Sequence, residues 1–331
     1  LSAYYPYFPE GNLVRIHYII GRYGGETPRP GQEQIEADIS RLSLTWNDDL
    51  EDAISVAFPG EQMPGIRSKY LGAFSPGYQD EFSTQRAVED IATIEQLSSS
   101  NPFAVNFYKD GHDDNQRPHI AIYNMDGPIP LSKRVPIIED LGFEVVIERS
   151  FVIELQEADR QTNVYFHDMA LNLLDGDDID FDEHGTRLAE TFGAVWRGDA
   201  TDDSFNRLVL QAGIDWREAS VLRAYGAYLR QIRSPFGQNY LSSTLLAHSE
   251  TTGKLIELYR LRSDPNLPLS AAAREPKQQQ LIAEIEETLA TIPSLDEDRI
   301  IRHYLNLILS TWRTNFYQTD ESGQTLPALA F

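Results

Sequence analysis

The densest run of chemically capable side chains is Asp175-Gly-Asp-Asp-Ile-Asp-Phe-Asp-Glu183. A calcium loop of the EF-hand type needs oxygen ligands at alternating positions, a glycine at the sharp turn and a bidentate glutamate at its end. With Asp178 first, Asp180 and Asp182 alternate correctly, but Glu183 stands at the glycine position and Ala189 at the bidentate one. With Asp175 first, Ile179 occupies a ligand position. The run therefore reads as a solvated loop in which Asp180 or Asp182 caps a following helix.

Imidazole and carboxylate groups also meet at His112-Asp-Asp114, His119 and His167-Asp168. These are zinc-ligand types, but their spacing fits no helical or hairpin ligand pattern. They and His303 read as surface or hydrogen-bonded histidines. Gly21-Arg-Tyr-Gly-Gly25 follows a strand, where phosphate loops sit. It lacks both dinucleotide and Walker spacings, and Pro28 and Pro30 stand where a helix should start. No G-x-S-x-G elbow is present. With no cysteine, thiolate zinc sites, iron–sulfur clusters and cysteine nucleophiles are excluded. No residue is therefore assigned a catalytic, cofactor-binding or metal role.

What remains is recognition chemistry. Arginines and aromatics concentrate in the C-terminal half, at Arg197, Arg207, Arg217, Arg223, Arg230, Arg233, Arg302 and Arg313. Most should serve solvated faces or internal ion pairs, yet the same residue types are enriched at interfaces. Arg313-Thr-Asn-Phe-Tyr317 follows the strongest amphipathic helix. Arg313, Asn315, Phe316 and Tyr317, with Arg230, are the interface candidates.

The elements that position these groups follow from periodicity. Leu13–Ile20 alternates as a strand, which cannot stand without a partner; the expectation is that its sheet began upstream. Gln32–Ala57 has helical period and reads as one helix. Met63-Pro-Gly65 and Ser75-Pro-Gly77 read as turns before a helix over Ser83–Leu97, and Ser98–Pro102 is a boundary. Phe103–Tyr108 and His119–Tyr123 read as strands, Leu131–Leu141 as a helix, Glu144–Leu155 and Asn163–Leu173 as strands, and a helix then runs to Trp196. The order ββαββα implies an antiparallel sheet with helices on one face. Beyond Asp199 only helices are expected. Asp215-Trp-Arg-Glu218 and Ser294-Leu-Asp-Glu297 are capping boxes, and the last helix carries Ile300, Tyr304, Ile308 and Trp312 on one stripe.

The 331 residues carry 51 acids against 28 bases, a net charge of −23. Such a surface repels phosphate backbones and anionic membranes, so neither nucleic acid nor membrane is an expected partner. No apolar run is long enough to span a bilayer and no signal peptide is visible. The absence of cysteine suits the cytoplasm. A chain that opens on Leu1 is expected to be part of something longer.

Several blocks resemble the large bacterial NAD-specific glutamate dehydrogenases. They are Trp196-Arg-Gly, Phe205–Gly213, Trp216-Arg-Glu, Leu222–Gln231, Ser294–Arg299 and Arg313-Thr-Asn-Phe-Tyr-Gln318, with weaker matches at Thr45–Leu50, Leu141-Gly-Phe-Glu-Val and Phe166-His-Asp168. The resemblance implies an α+β architecture. Residues 1–30 would be the last strands of one ACT-like module, 31–100 a helical connector, 101–198 a second ACT-like α/β module, and 199–331 a helical domain leading to the catalytic domain. It implies a non-catalytic regulatory and structural segment with no cofactor of its own, NAD belonging to the parent enzyme. Implied partners are the parent's catalytic domain, other subunits and an amino-acid effector. The competing expectation is a free-standing small-molecule sensor with a helical output domain.

Overall fold

The computed structural model describes residues 3–7, 15–19, 31–43, 45–109, 117–157, 160–175, 179–326 and 328–331. The Gly21–Gly25 loop, His112-Asp-Asp114, and Asp177 and Asp178 of the acidic run lie outside the described residues. The chain divides into two units, residues 1–49 and 50–331.

In the first unit the expected strand is β2 (Arg15–Ile19), and its partner lies within the chain. It is β1 (Ala3–Tyr7), antiparallel, with Tyr4 facing Tyr18. Gln32–Ala57 is not one helix but two, α1 (Gln32–Ser43) and α2 (Trp46–Ala57). The reason is a capping box that periodicity masks. The Thr45 backbone N–H donates to Asp48 at 2.7 Å, and the Asp48 N–H donates to the Thr45 hydroxyl at 3.3 Å.

In the second unit, the two Pro-Gly segments start helices instead of turns. Met63-Pro opens α3 (Met63–Tyr70), and Ser75 caps α4 (Pro76–Glu81), with proline in the first turn, where no amide is required. Ser83 caps α5 (Thr84–Ile94). Then come β3 (Phe103–Lys109), β4 (Pro118–Asn124), α6 (Leu131–Asp140), β5 (Phe143–Glu157), β6 (Arg160–Leu173) and α7 (Phe181–Arg197). The sheet is antiparallel in the order β3-β4-β6-β5, with an irregularity between Val145 and Ile147.

One face of the sheet presents Val105, Phe107, Ile120, Ile122, Met169 and Leu171 to a core that includes Ile137 and Ile138 of α6 and Leu188 and Phe192 of α7. That is the expected arrangement. The opposite face is covered as well, by the connector: Tyr78 and Phe82 meet Phe151 and Phe166 edge-on, with centroids 5.7–5.8 Å apart. The reason lies in β4, which is buried along its whole length. A strand buried on both sides requires a layer on both sides. The part of the connector from Leu50 onward and the α/β module therefore pack together within the second unit.

The rest is helical: α8 (Leu208–Gln211), α9 (Trp216–Gln231), α10 (Gln238–Ala247), α11 (Ser249–Ser263), α12 (Ala271–Leu289) and α13 (Leu295–Ser310). The Asp215/Glu218 box forms in both directions. The second box forms only in part: the Ser294 hydroxyl accepts from the Glu297 N–H at 3.3 Å, while the Glu297 carboxylate pairs with His248 Nε2 at 2.9 Å. α13 stops at Ser310, short of the expected Trp312. Tyr225, Leu245, Tyr259, Ile285 and Tyr304 join the same apolar cluster as the sheet, so the α/β module and the helical region share a core. Among the described residues no helix is long and apolar enough to cross a membrane.

Candidate functional site

Polar groups enter the sheet in two clusters. Between the connector and the sheet, Asp90 is fully buried and its oxygens are occupied. Tyr78 and Tyr123 each donate to it at 2.6 Å, and Arg86 Nε lies 2.9 Å away. Burial, and then the Asp90 charge, push both phenols well above the usual tyrosine range, so both stay protonated and donate to Asp90, while the Tyr123 oxygen also accepts from Arg86 at 3.2 Å. Beside them Asp168 accepts from Tyr108 at 2.5 Å, faces His119 Nδ1 at 3.3 Å and lies 3.8 Å from Arg149. The Arg86 guanidinium stacks over the Tyr108 ring at 3.7 Å. Both aspartates are thus committed to internal donors. Among the described residues no group of three or more His, Asp or Glu side chains could hold a metal ion.

The second cluster, on the α6 face, has the outline of a serine–histidine pair. Ser150 Oγ lies 2.6 Å from His167 Nδ1. The other ring nitrogen, Nε2, accepts from the Ile129 backbone N–H at 3.2 Å. A nitrogen that accepts from an amide carries no proton, so the neutral ring bears its proton on Nδ1 and donates to Ser150. The Ser150 hydroxyl then donates to Glu148 at 2.8 Å, and Glu148 also pairs with Arg134. The imidazole cannot take the serine proton, so this is a structural relay and not a nucleophile with its base.

Burial, and then the Arg134 charge, pull His167 down to about 4. A histidine whose folded pKa is below its unfolded value of 6.5 favours unfolding as it protonates. Its contribution should be complete above that pH and fall by about 2–3 kcal/mol between there and about pH 4. Urea denaturation at neutral and acid pH should show His167→Gln flattening this slope, and nitrogen NMR should show the Nδ1–H tautomer. An imidazolium signal at pH 6 would overturn the assignment.

Several arginines of the helical half are engaged within the chain, while Arg197, Arg233, Arg302 and Arg313 are exposed. Arg223 forks onto Asp203 with two bonds of 2.8 Å, Arg260 pairs with buried Glu218, and Arg207 donates to the Glu139 carbonyl at 3.2 Å. Arg230 is exposed and donates to Gln238 at 2.8 Å.

The interface candidates after α13 separate into two kinds. Phe316 is not an exposed anchor: it is 4% exposed, meets Tyr259 edge-on at 5.7 Å and lies under Arg217, whose guanidinium is 4.3 Å from the ring. Tyr317 is half-buried beside it. The Asn315 amide is used inside the chain, donating to the Ala328 carbonyl and accepting from the Ala330 N–H, both at 2.7 Å. Arg313 is exposed, and next to it is the residue that the helical stripe concealed: Trp312 is 94% exposed. Its spacing from Ile308 placed it in the core, and only the end of α13 takes it out. These two residues line a cavity of about 450 Å³ with Tyr225, Tyr228, Leu307 and Phe331.

Comparisons with known proteins follow the same order along the chain. Models of glutamate dehydrogenase match as helical motif 2 over residues 53–97, the ACT3 domain over 102–184 and helical motif 3 over 200–265. Residues 284–331, read from the sequence as part of the helical region leading to catalysis, match the bacterial NAD-glutamate dehydrogenase catalytic domain. The NAD-specific glutamate dehydrogenase of Halomonas elongata is 33% identical over 98% of this chain, and that of Pseudomonas aeruginosa is 32% identical over 99%. The Mycobacterium tuberculosis protein of that name is 28% identical over 88%. The chain spans about a fifth of the length of these relatives. With an ordered series of motif matches lying on the observed sheet and helices, the chain belongs to the NAD-specific glutamate dehydrogenase family, as a stretch that includes its ACT3 domain.

Proposed function

We propose that this chain is a non-catalytic regulatory and structural segment of an NAD-dependent glutamate dehydrogenase. The parent enzyme converts glutamate, NAD and water to 2-oxoglutarate, ammonium, NADH and a proton. NAD is the parent's cofactor and is held elsewhere in it; the setting is the cytoplasm. The partners are the parent's catalytic domain, other subunits and an amino-acid effector.

The observation that carries this reading is the shared core. An ACT-type sheet packed on both faces, whose apolar cluster continues into the helical region, suits a body that positions other domains. The buried carboxylates of Asp90 and Asp168 are engaged by internal donors, as in a scaffold. The catalytic-domain match at residues 284–331 favours a dehydrogenase segment over a free-standing sensor. Two measurements test the reading. The purified chain supplied with glutamate and NAD should form no NADH, while a full-length protein containing it should. NADH formation by the chain alone, abolished by a point substitution within it, would overturn the non-catalytic assignment. A full-length protein inactive on glutamate would overturn the family activity.

A further inference from the structure

Trp312 is the most exposed large apolar side chain among the described residues, at 94%. Its exposure is not that of a loose end. Thr311 donates to the Leu307 carbonyl at 2.7 Å and accepts from the Tyr225 hydroxyl at 2.7 Å. Arg262 holds the last carbonyls of α13, at 3.3 Å from Ile308 and 2.9 Å from Leu309. On the other side Tyr259 donates to Thr314 at 3.1 Å, and Phe316 is locked in the core. Trp312 and Arg313 are thus held outward between two fixed points. An indole and a guanidinium fixed in that way lose little entropy on contact, and they are the residue types that dominate association energies.

The walls of the adjoining groove identify its occupant. Tyr225 and Tyr228 lie in the stretch that matches helical motif 3, while Leu307, Trp312, Arg313 and Phe331 lie in the stretch that matches the catalytic domain. Phe331 stacks on Tyr225 with centroids 4.8 Å apart, so polypeptide beyond it in a longer relative departs from the groove itself. Such a tethered segment meets the groove at high effective concentration. Ile232, 56% exposed, extends the apolar strip one turn beyond Tyr228.

We propose that this groove is the seat on which the remainder of the catalytic domain docks, through the polypeptide that follows residue 331 in the full-length enzyme. The seated segment offers an apolar or aromatic side chain to Trp312 and Tyr228 and a carboxylate or backbone carbonyl to Arg313. The proposal rests on the glutamate dehydrogenase reading.

The test uses the full-length enzyme with a photo-crosslinking benzoylphenylalanine in place of Trp312, and mass spectrometry of the cross-linked peptide. A cross-link to a peptide from beyond residue 331 is the expected result. A cross-link only to residues 1–331 of a second copy, or none, overturns the proposal. Trp312→Ala in the same enzyme should lower glutamate-dependent NADH formation about tenfold, with Trp312→Phe recovering most of it. Unchanged activity in Trp312→Ala also overturns the proposal. The unsubstituted enzyme, assayed in parallel, separates the two failures: if it oxidises glutamate and the cross-link is missing, only the docking site is wrong.

Discussion

Asp90→Ala is expected to destabilise the chain by about 3–5 kcal/mol, because it strands a buried cation and two phenols. Asp90 is fully buried and serves Tyr78, Tyr123 and Arg86 at once. Burial raises its pKa despite the Arg86 charge and both tyrosine hydrogen bonds, so desolvation already consumes much of what the partners return. The intact cluster then adds little net stability, while its breakage is costly, since Arg86 loses its buried counter-ion and keeps only the exposed Glu89 carboxylate, 3.7 Å away. The double variant Arg86→Met with Asp90→Leu should therefore recover most of the loss. Urea denaturation followed by circular dichroism measures both. An Asp90→Ala cost below about 1 kcal/mol, or a double variant no better than the single, would show that the cluster does not clamp the connector onto the sheet.

Phe316→Ala should cost about 3–5 kcal/mol, whereas Trp312→Ala should stay within about 0.5 kcal/mol in the same chain. Both are aromatics after the same helix, four residues apart. Phe316 loses its edge contact with Tyr259, the stacked Arg217 guanidinium and its place in the core, leaving a cavity behind. Trp312 gives up almost no buried surface. Thermal denaturation of the two variants beside the unsubstituted chain decides the matter. Equal losses would mean that Trp312 packs against its own bundle and is unavailable to a partner.

The elements that announced themselves in the sequence are those governed by local rules. Strand alternation in Phe103–Tyr108 and Asn163–Leu173, and the Asp215/Glu218 box ahead of α9, depend on neighbours a few residues away, and they form as read. The order of the strands and helices implied the antiparallel sheet, and the ordered blocks implied the family. The errors occurred where one local rule concealed another. The apolar period across residues 32–57 hid the Thr45/Asp48 cap, and prolines read as turns were the first turns of α3 and α4.

By itself the sequence determined the fold class, the family, the absence of thiol chemistry and the acidic character of the surface, because composition and short-range pattern are sufficient for each. Only the tertiary structure decided three further points. It placed α3–α5 over the second face of the sheet, through contacts between Tyr78, Asp90 and Tyr123 that are far apart in the chain. It fixed the His167 tautomer, which depends on an amide at Ile129. It sent Phe316 inward and Trp312 outward. A helical stripe ranks residues by the side of the helix they occupy, and that ranking ends where the helix does. Past Ser310 the direction of each side chain is set by Arg262, Tyr225 and Tyr259, which reach α13 and its exit from other helices.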